Sequence, residues 1–113
     1  IIVDFHAEAT SEKKAMGYYL DGRVSAVFGT HTHTQTADEQ ILPAKTGFIT
    51  DIGMTGATHS VLGLKKEISI NKLVHHKNTK YEWATEDPAL MGAIFDIDEK
   101  TGECRAVNRM IYK

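Results

Sequence analysis

The chain opens on an apolar, β-branched run, Ile1–Phe5, interrupted only by Asp4. Such a run predicts a strand inside a sheet, covered on both faces. Thr10 or Ser11 is placed to cap a helix reaching about Leu20, with Ala15, Met16, Tyr19 and Leu20 as its inner stripe. Asp21-Gly22 ends that helix, the glycine supplying the left-handed conformation of a C-terminal cap. Val24–Phe28 is a second short apolar strand. Strand, helix and strand with tight joints form a βαβ unit, which requires parallel strands and a right-handed crossover.

Further along, Gly47–Thr50 predicts another strand, and "DIGMTGATHS" reads as a glycine-punctuated loop. Lys65–His75 has helical spacing, with Ile68 and Leu73 available for its buried side. The remainder changes character. "KYEWATE", "ALMGAIFDID" and "ECRAVNRMIYK" predict three antiparallel strands, with Trp83 packing the core. The last two are joined by "DEKTGE", whose Thr-Gly pair suits a hairpin turn. The predicted class is α/β, a βαβ unit followed by mostly antiparallel strands, over a single domain at 1–113.

Composition narrows the picture. A chain of 113 residues, 42% hydrophobic and 25% charged, is that of a globular domain. Thirteen basic against fifteen acidic residues leave a net charge of −2, which gives no support to broad non-specific binding of nucleic acid or anionic membrane. No apolar run is long enough to span a bilayer, and no cleavable signal pattern is present. The single cysteine, Cys104, has no partner for an internal disulfide, so a reducing cytoplasm is expected and Cys104 reads as structural. An opening directly within an interior-type strand, without a methionine, reads as the later part of something longer.

Candidate chemistry gathers at the ends of the first two strands. His6 follows the first; His31 and His33 come shortly after the second, in "GTHTHTQTAD". Carboxyl ends of parallel strands lie on one edge, where open α/β folds bind their ligands. In an extended segment His31 and His33 point the same way while Thr32 faces the other, so both are expected to converge with His6. Three neutral imidazoles suit Zn²⁺, Fe, Mn²⁺ or Ni²⁺. A His-x-His pair alone is in most proteins an ordinary solvated loop, and the third histidine at a strand end is what favours a metal. Asp4 and Glu8 flank His6 as ligands or as acceptors that orient an imidazole, or else as plain turn and loop acids. Thr32, with its neighbours Thr30, Thr34 and Thr36, offers hydroxyls to the backbone or to a substrate phosphate. Thr55 lies in "GMTG", a loop suited to approach a phosphate closely but lacking the phosphate-loop lysine and spacing. His59, His75 and His76 need no ligand role.

Taken in order, "DFHAEATSEK", "GTHTHTQTAD", "ILP", "TGFITDIGMTG" and "LG" resemble the YmdB-like bacterial metallophosphoesterases, a branch of the calcineurin-like two-metal phosphoesterases. The resemblance is strongest from Ile1 to Gly63. It implies the C-terminal half of an α/β sandwich, with His6 and His31 on one metal ion and His33 on the other. The implied cofactors are two divalent or trivalent ions, Fe or Mn first, with Zn or Mg also admitted. The implied substrates are phosphodiesters, 2′,3′-cyclic nucleotides and also 3′,5′-cyclic ones. The family's remaining ligands and its leaving-group acid belong to an N-terminal half outside these residues. No catalytic residue is therefore assigned within the chain, which alone is expected to be inactive. Self-association into a homo-oligomer is also expected. Two other classes stay open: a non-catalytic metal- or partner-binding domain, and a self-contained three-histidine zinc hydrolase with an open water position.

Overall fold

In a computed structural model covering residues 1–113, nine elements succeed one another along the chain. They are β1 (Ile2–His6), α1 (Thr10–Leu20), β2 (Ala26–Thr30), β3 (Gln40–Ile41), β4 (Gly47–Ile49), β5 (Thr55–Ala57), α2 (Lys66–His75), β6 (Pro88–Ile97) and β7 (Cys104–Tyr112). Two sheets result, one of order β1-β2-β4-β3 and one of order β5-β6-β7. In the first, β1, β2 and β4 run parallel, and β3 closes the edge antiparallel. The second is antiparallel throughout. The predicted βαβ unit and the β6–β7 hairpin are both present, with Gly102 at φ +77° in the hairpin turn. No helix is long and apolar enough to cross a membrane.

β1 departs from expectation. It pairs only with β2, alternates exposed and half-buried residues, and leaves Ile2 60% exposed, so within this chain it is an edge strand rather than a covered one. α1 begins as expected, but its cap is Ala9, which has no side chain able to bond the helix; Thr10 and Ser11 lie inside the first turn. Its inward stripe is Lys13, Met16, Gly17 and Leu20, while Ala15 and Tyr19 are exposed. Phe48 explains the glycine. A Cβ at Gly17 would stand 2.6 Å from the Phe48 ring, so the helix lies against β4 only because nothing is there. Gly22 ends the helix at φ +78° as expected, and the Asp21 carboxylate accepts the Ala44 N–H at 2.9 Å, tying the helix end to the loop before β4.

Val27, Leu42 and Phe48 form the core of the first sheet, with Val3, Met16, Leu20 and Val24 packed around them. The sheets meet where Gly47 faces Cys104, Phe95 and Val107. Cys104 is buried there, and burial pushes its thiol pKa up, consistent with a structural residue. Three expectations fail further along. "GMTG" is not all loop, since Thr55 begins β5. "KYEWATE" forms no strand: Trp83 makes an isolated bridge to Leu64 and is 71% exposed, leaving β5 as the third antiparallel strand. α2 exists, yet Leu73 is exposed and only Ile68, Ser69 and Asn71 are half-buried. Helical spacing dictates a helix but not that a partner surface exists to cover it.

Candidate functional site

The parallel register sets His6 directly beside Thr30, so the two strands deliver their polar ends to one edge. There the Thr30 hydroxyl donates to Asp4 Oδ1 at 2.8 Å and lies 3.0 Å from His6 Nδ1. A hydroxyl has one proton, and a carboxylate only accepts. Thr30 therefore accepts from His6 Nδ1–H, which leaves the Nε2 lone pair of His6 facing the His31 ring. Nε2 lies 3.0 Å from His31 Nδ1, the two rings standing edge to face at 89°. On its far side, His31 Nε2 is 2.5 Å from Glu8 Oε2. Glu8 is 83% exposed, so this cluster opens to solvent.

His33 goes elsewhere. Its Nδ1 lies 3.0 Å from the Leu62 carbonyl, which can only accept, so Nδ1 carries the proton and the lone pair lies on Nε2. The loop is not the extended segment expected: His31 has φ 110° and His33 φ 63°, both positive. The expected convergence of three histidines thus resolves into a His6–His31–Glu8 cluster and a separate His33. No three His, Cys, Asp or Glu side chains are arranged to enclose an ion. The donor chemistry nonetheless fits metal ligation. His6 and His33 are each backed through Nδ1 by an oxygen acceptor that fixes the tautomer and aims Nε2, as in metal-binding imidazoles. Asp4 acts through Thr30 and Glu8 touches His31, so the residues able to hold ions are His6, His31, His33 and Glu8.

Thr32, between the histidines, points inward to a carboxylate that sequence reasoning passed over. Its N–H and hydroxyl donate to Asp51 Oδ2 at 3.1 and 2.7 Å. Lys13 Nζ reaches the same oxygen at 2.8 Å, and the Gly53 N–H donates to Oδ1 at 2.9 Å. Burial raises the Asp51 pKa, but Lys13, Gly53 and Thr32 outweigh it and hold the carboxyl below its ordinary range. The signals were present: Asp51 follows the predicted strand Gly47–Thr50, and Lys13 falls in register with Met16 and Leu20. A lysine on the inner face of a helix requires a buried acid.

Asp38 forms a second knot beneath the loop. Burial raises its pKa, yet hydrogen bonds from Thr50 and Thr36, with the Lys14 ammonium, bring it down to about 2. Gln35 Nε2 donates to the carbonyls of Gly92 and Met110, 2.9 and 3.1 Å away, fastening the histidine loop to the second sheet. A cavity of about 330 Å³ adjoins His33, walled by Met54, Leu62, Met91 and Arg109. An adjacent one of about 270 Å³ is lined by His33, Leu62 and Thr55, which places Thr55 near His33 on β5 rather than on a mobile loop.

A parallel βαβ unit that presents imidazoles and carboxylates at the carboxyl edge of its strands defines an α/β protein with a candidate ligand site at that edge. The chain belongs to the YmdB-like family: residues 1–110 match the family described as YmdB-like protein. It is 47% identical over 111 residues to a 2′,3′-cyclic-nucleotide 2′-phosphodiesterase of Bacillus subtilis (strain 168), covering 98% of this chain and 42% of that protein. A crystal structure of a hypothetical protein from Thermus thermophilus superposes with a TM-score of 0.90 at 37% identity, covering 98% of this chain and 43% of the other. A crystal structure described as a novel phosphatase from Mycoplasma pneumoniae superposes with a TM-score of 0.91 at 38% identity, covering 97% and 40%. The chain spans about two fifths of the length of these relatives.

Proposed function

We propose that this chain is the C-terminal part of a metal-dependent phosphodiesterase acting on phosphodiesters such as 2′,3′-cyclic nucleotides, with 3′,5′-cyclic nucleotides as further substrates. The observation that carries the reading is the pair of fixed imidazoles, His6 backed by Thr30 and Asp4, and His33 backed by the Leu62 carbonyl. A metal pair, iron or manganese, supplies Lewis acidity and an activated water when bound. His6 and His31, with Glu8 bonded to His31, would hold one ion, and His33 would hold the other. The Asp4–Thr30 relay places a ring proton on His6 Nδ1 and fixes the orientation of the ring. No residue here is assigned as leaving-group acid, which is placed in an N-terminal segment of the same protein.

Exposed surface supports such a segment. The chain exposes 7368 Å², against about 6,200 Å² for a compact monomer of 12.5 kDa. Its radius of gyration is 16.6 Å, against about 13 Å for a compact chain of this length. The bare edge of β1, with Ile2 exposed, is where added strands would join the first sheet. Self-association would cover further surface and is tested by light scattering.

The deciding experiment measures bound transition metal and hydrolysis of 2′,3′-cyclic AMP, with and without the N-terminal segment. Activity is expected only with the segment present, and His31→Ala is expected to abolish it. Absence of bound metal together with unchanged activity in His31→Ala would sink the reading. Metal bound without any hydrolysis would instead favour a non-catalytic binding domain.

A further inference from the structure

We propose that the buried Lys13–Asp51 ion pair is the positioning device of the histidine loop, acting through Thr32 to set where His31 and His33 present their ring nitrogens. The inference rests on the proposed role of those histidines as metal ligands. Lys13 and Asp51 are 1% and 0% exposed, and neither is among the hydrogen-bond partners of an imidazole. Asp51 instead gathers three parts of the fold at one carboxylate: Lys13 from α1, Thr32 after β2, and Gly53 beyond β4. A buried carboxylate holding four such bonds cannot shift without breaking one of them.

Thr32 is the only residue between the histidines, and it is bonded to that carboxylate by both its N–H and its hydroxyl. The histidines on either side sit at φ 110° and 63°, conformations that side-chain-bearing residues adopt only when their surroundings hold them there. Gly29, at the head of the loop sequence, completes the device. A Cβ there would stand 1.8 Å from the Thr50 carbonyl and 2.7 Å from Lys13 Cδ. The glycine therefore leaves room for the lysine stem to pass beneath β2 to Asp51. Lys13, Asp51 and Thr32 are thus positioning residues, and the loop's direction is set from below, through a charge pair that solvent does not reach.

The test uses the protein carrying its N-terminal segment, stripped of metal and titrated calorimetrically with Mn²⁺ alone. Thr32→Val keeps the shape and the backbone bond but removes the hydroxyl; Thr32→Ser keeps both. Thr32→Val is expected to weaken Mn²⁺ binding by about 10-fold to 100-fold, the range for lost support behind a metal ligand. Thr32→Ser is expected to restore affinity to within roughly threefold. Melting temperatures are measured alongside. A Thr32→Val protein that melts lower but binds Mn²⁺ like the wild type would overturn the positioning role while leaving the ligand reading intact, provided His31→Ala still weakens binding. If His31→Ala also binds Mn²⁺ normally, the ligand reading falls and this proposal with it.

Discussion

Replacing Lys13 by methionine keeps most of the side chain's volume and removes only its charge and donors. Asp51 is then left as a fully buried carboxylate. Breaking a buried pair by removing one partner costs about 3–5 kcal/mol, because the remaining charge is uncompensated. Three donors still reach Asp51, the Thr32 N–H and hydroxyl and the Gly53 N–H, which places this site near the lower end, at about 3 kcal/mol. That is a large share of the roughly 5–15 kcal/mol that stabilises an ordinary domain. It corresponds to a melting temperature lower by about 10–15 °C. The double variant Lys13→Met with Asp51→Leu removes both charges, a change that is often neutral when nothing else uses the pair. Here it orphans the half-buried N–H groups of Thr32 and Gly53, at up to about 1–3 kcal/mol each, so it should not recover wild-type stability. Urea unfolding followed by far-ultraviolet circular dichroism is the suitable assay, since Trp83 is too exposed to report on the core by fluorescence. Loss of less than about 1 kcal/mol in Lys13→Met, or full recovery in the double variant, would refute the reasoning.

Acid should weaken the protein partly through Asp38. Its folded pKa of about 2 lies below the ordinary 3.8, so its contribution is fully present above about pH 4 and is lost as pH falls toward 2. With the side chain 27% exposed, about 1–2 kcal/mol is expected after allowance for solvent screening. Asp38→Asn should flatten that acid limb in stability measured from pH 5 to 2, and an unchanged slope would contradict the assignment. At the junction of the two sheets, Gly47→Ala would place a Cβ 2.6 Å from Cys104 Sγ and 2.8 Å from Phe95 Cδ1. It should cost about 1–3 kcal/mol by overpacking. Gly92→Ala, whose nearest neighbour is Met110 Cε at 3.5 Å, should be nearly neutral in the same unfolding assay.

The parts of the fold legible in the sequence are those that local chemistry dictates. β1, α1 and β2 follow from a β-branched run, an alanine- and leucine-bearing helical stretch and a glycine at φ +78°, each readable within about a dozen residues. His6 and Thr30 become neighbours once the two strands are parallel, so the edge bearing His6 and His31 was predictable from topology. What escaped depends on partners distant in sequence. β5 is only three residues long and is a strand because β6 pairs with it, not because "TGA" has strand character. Trp83 and Leu73 are apolar yet exposed, because hydrophobicity states a preference for cover and cannot supply it. The buried Lys13 is the sharpest instance. A charge within an apolar stripe reads locally as a solvated face and displaces the predicted stripe by a residue. With Asp51 opposite, the same lysine becomes an interior group, and Thr32 donates to that carboxylate from within a histidine loop that bends rather than extends. The candidate ligand types were therefore visible in "THTHT", whereas the residues that anchor the loop lie 18 residues upstream of His31 and 18 residues downstream of His33, at Lys13 and Asp51.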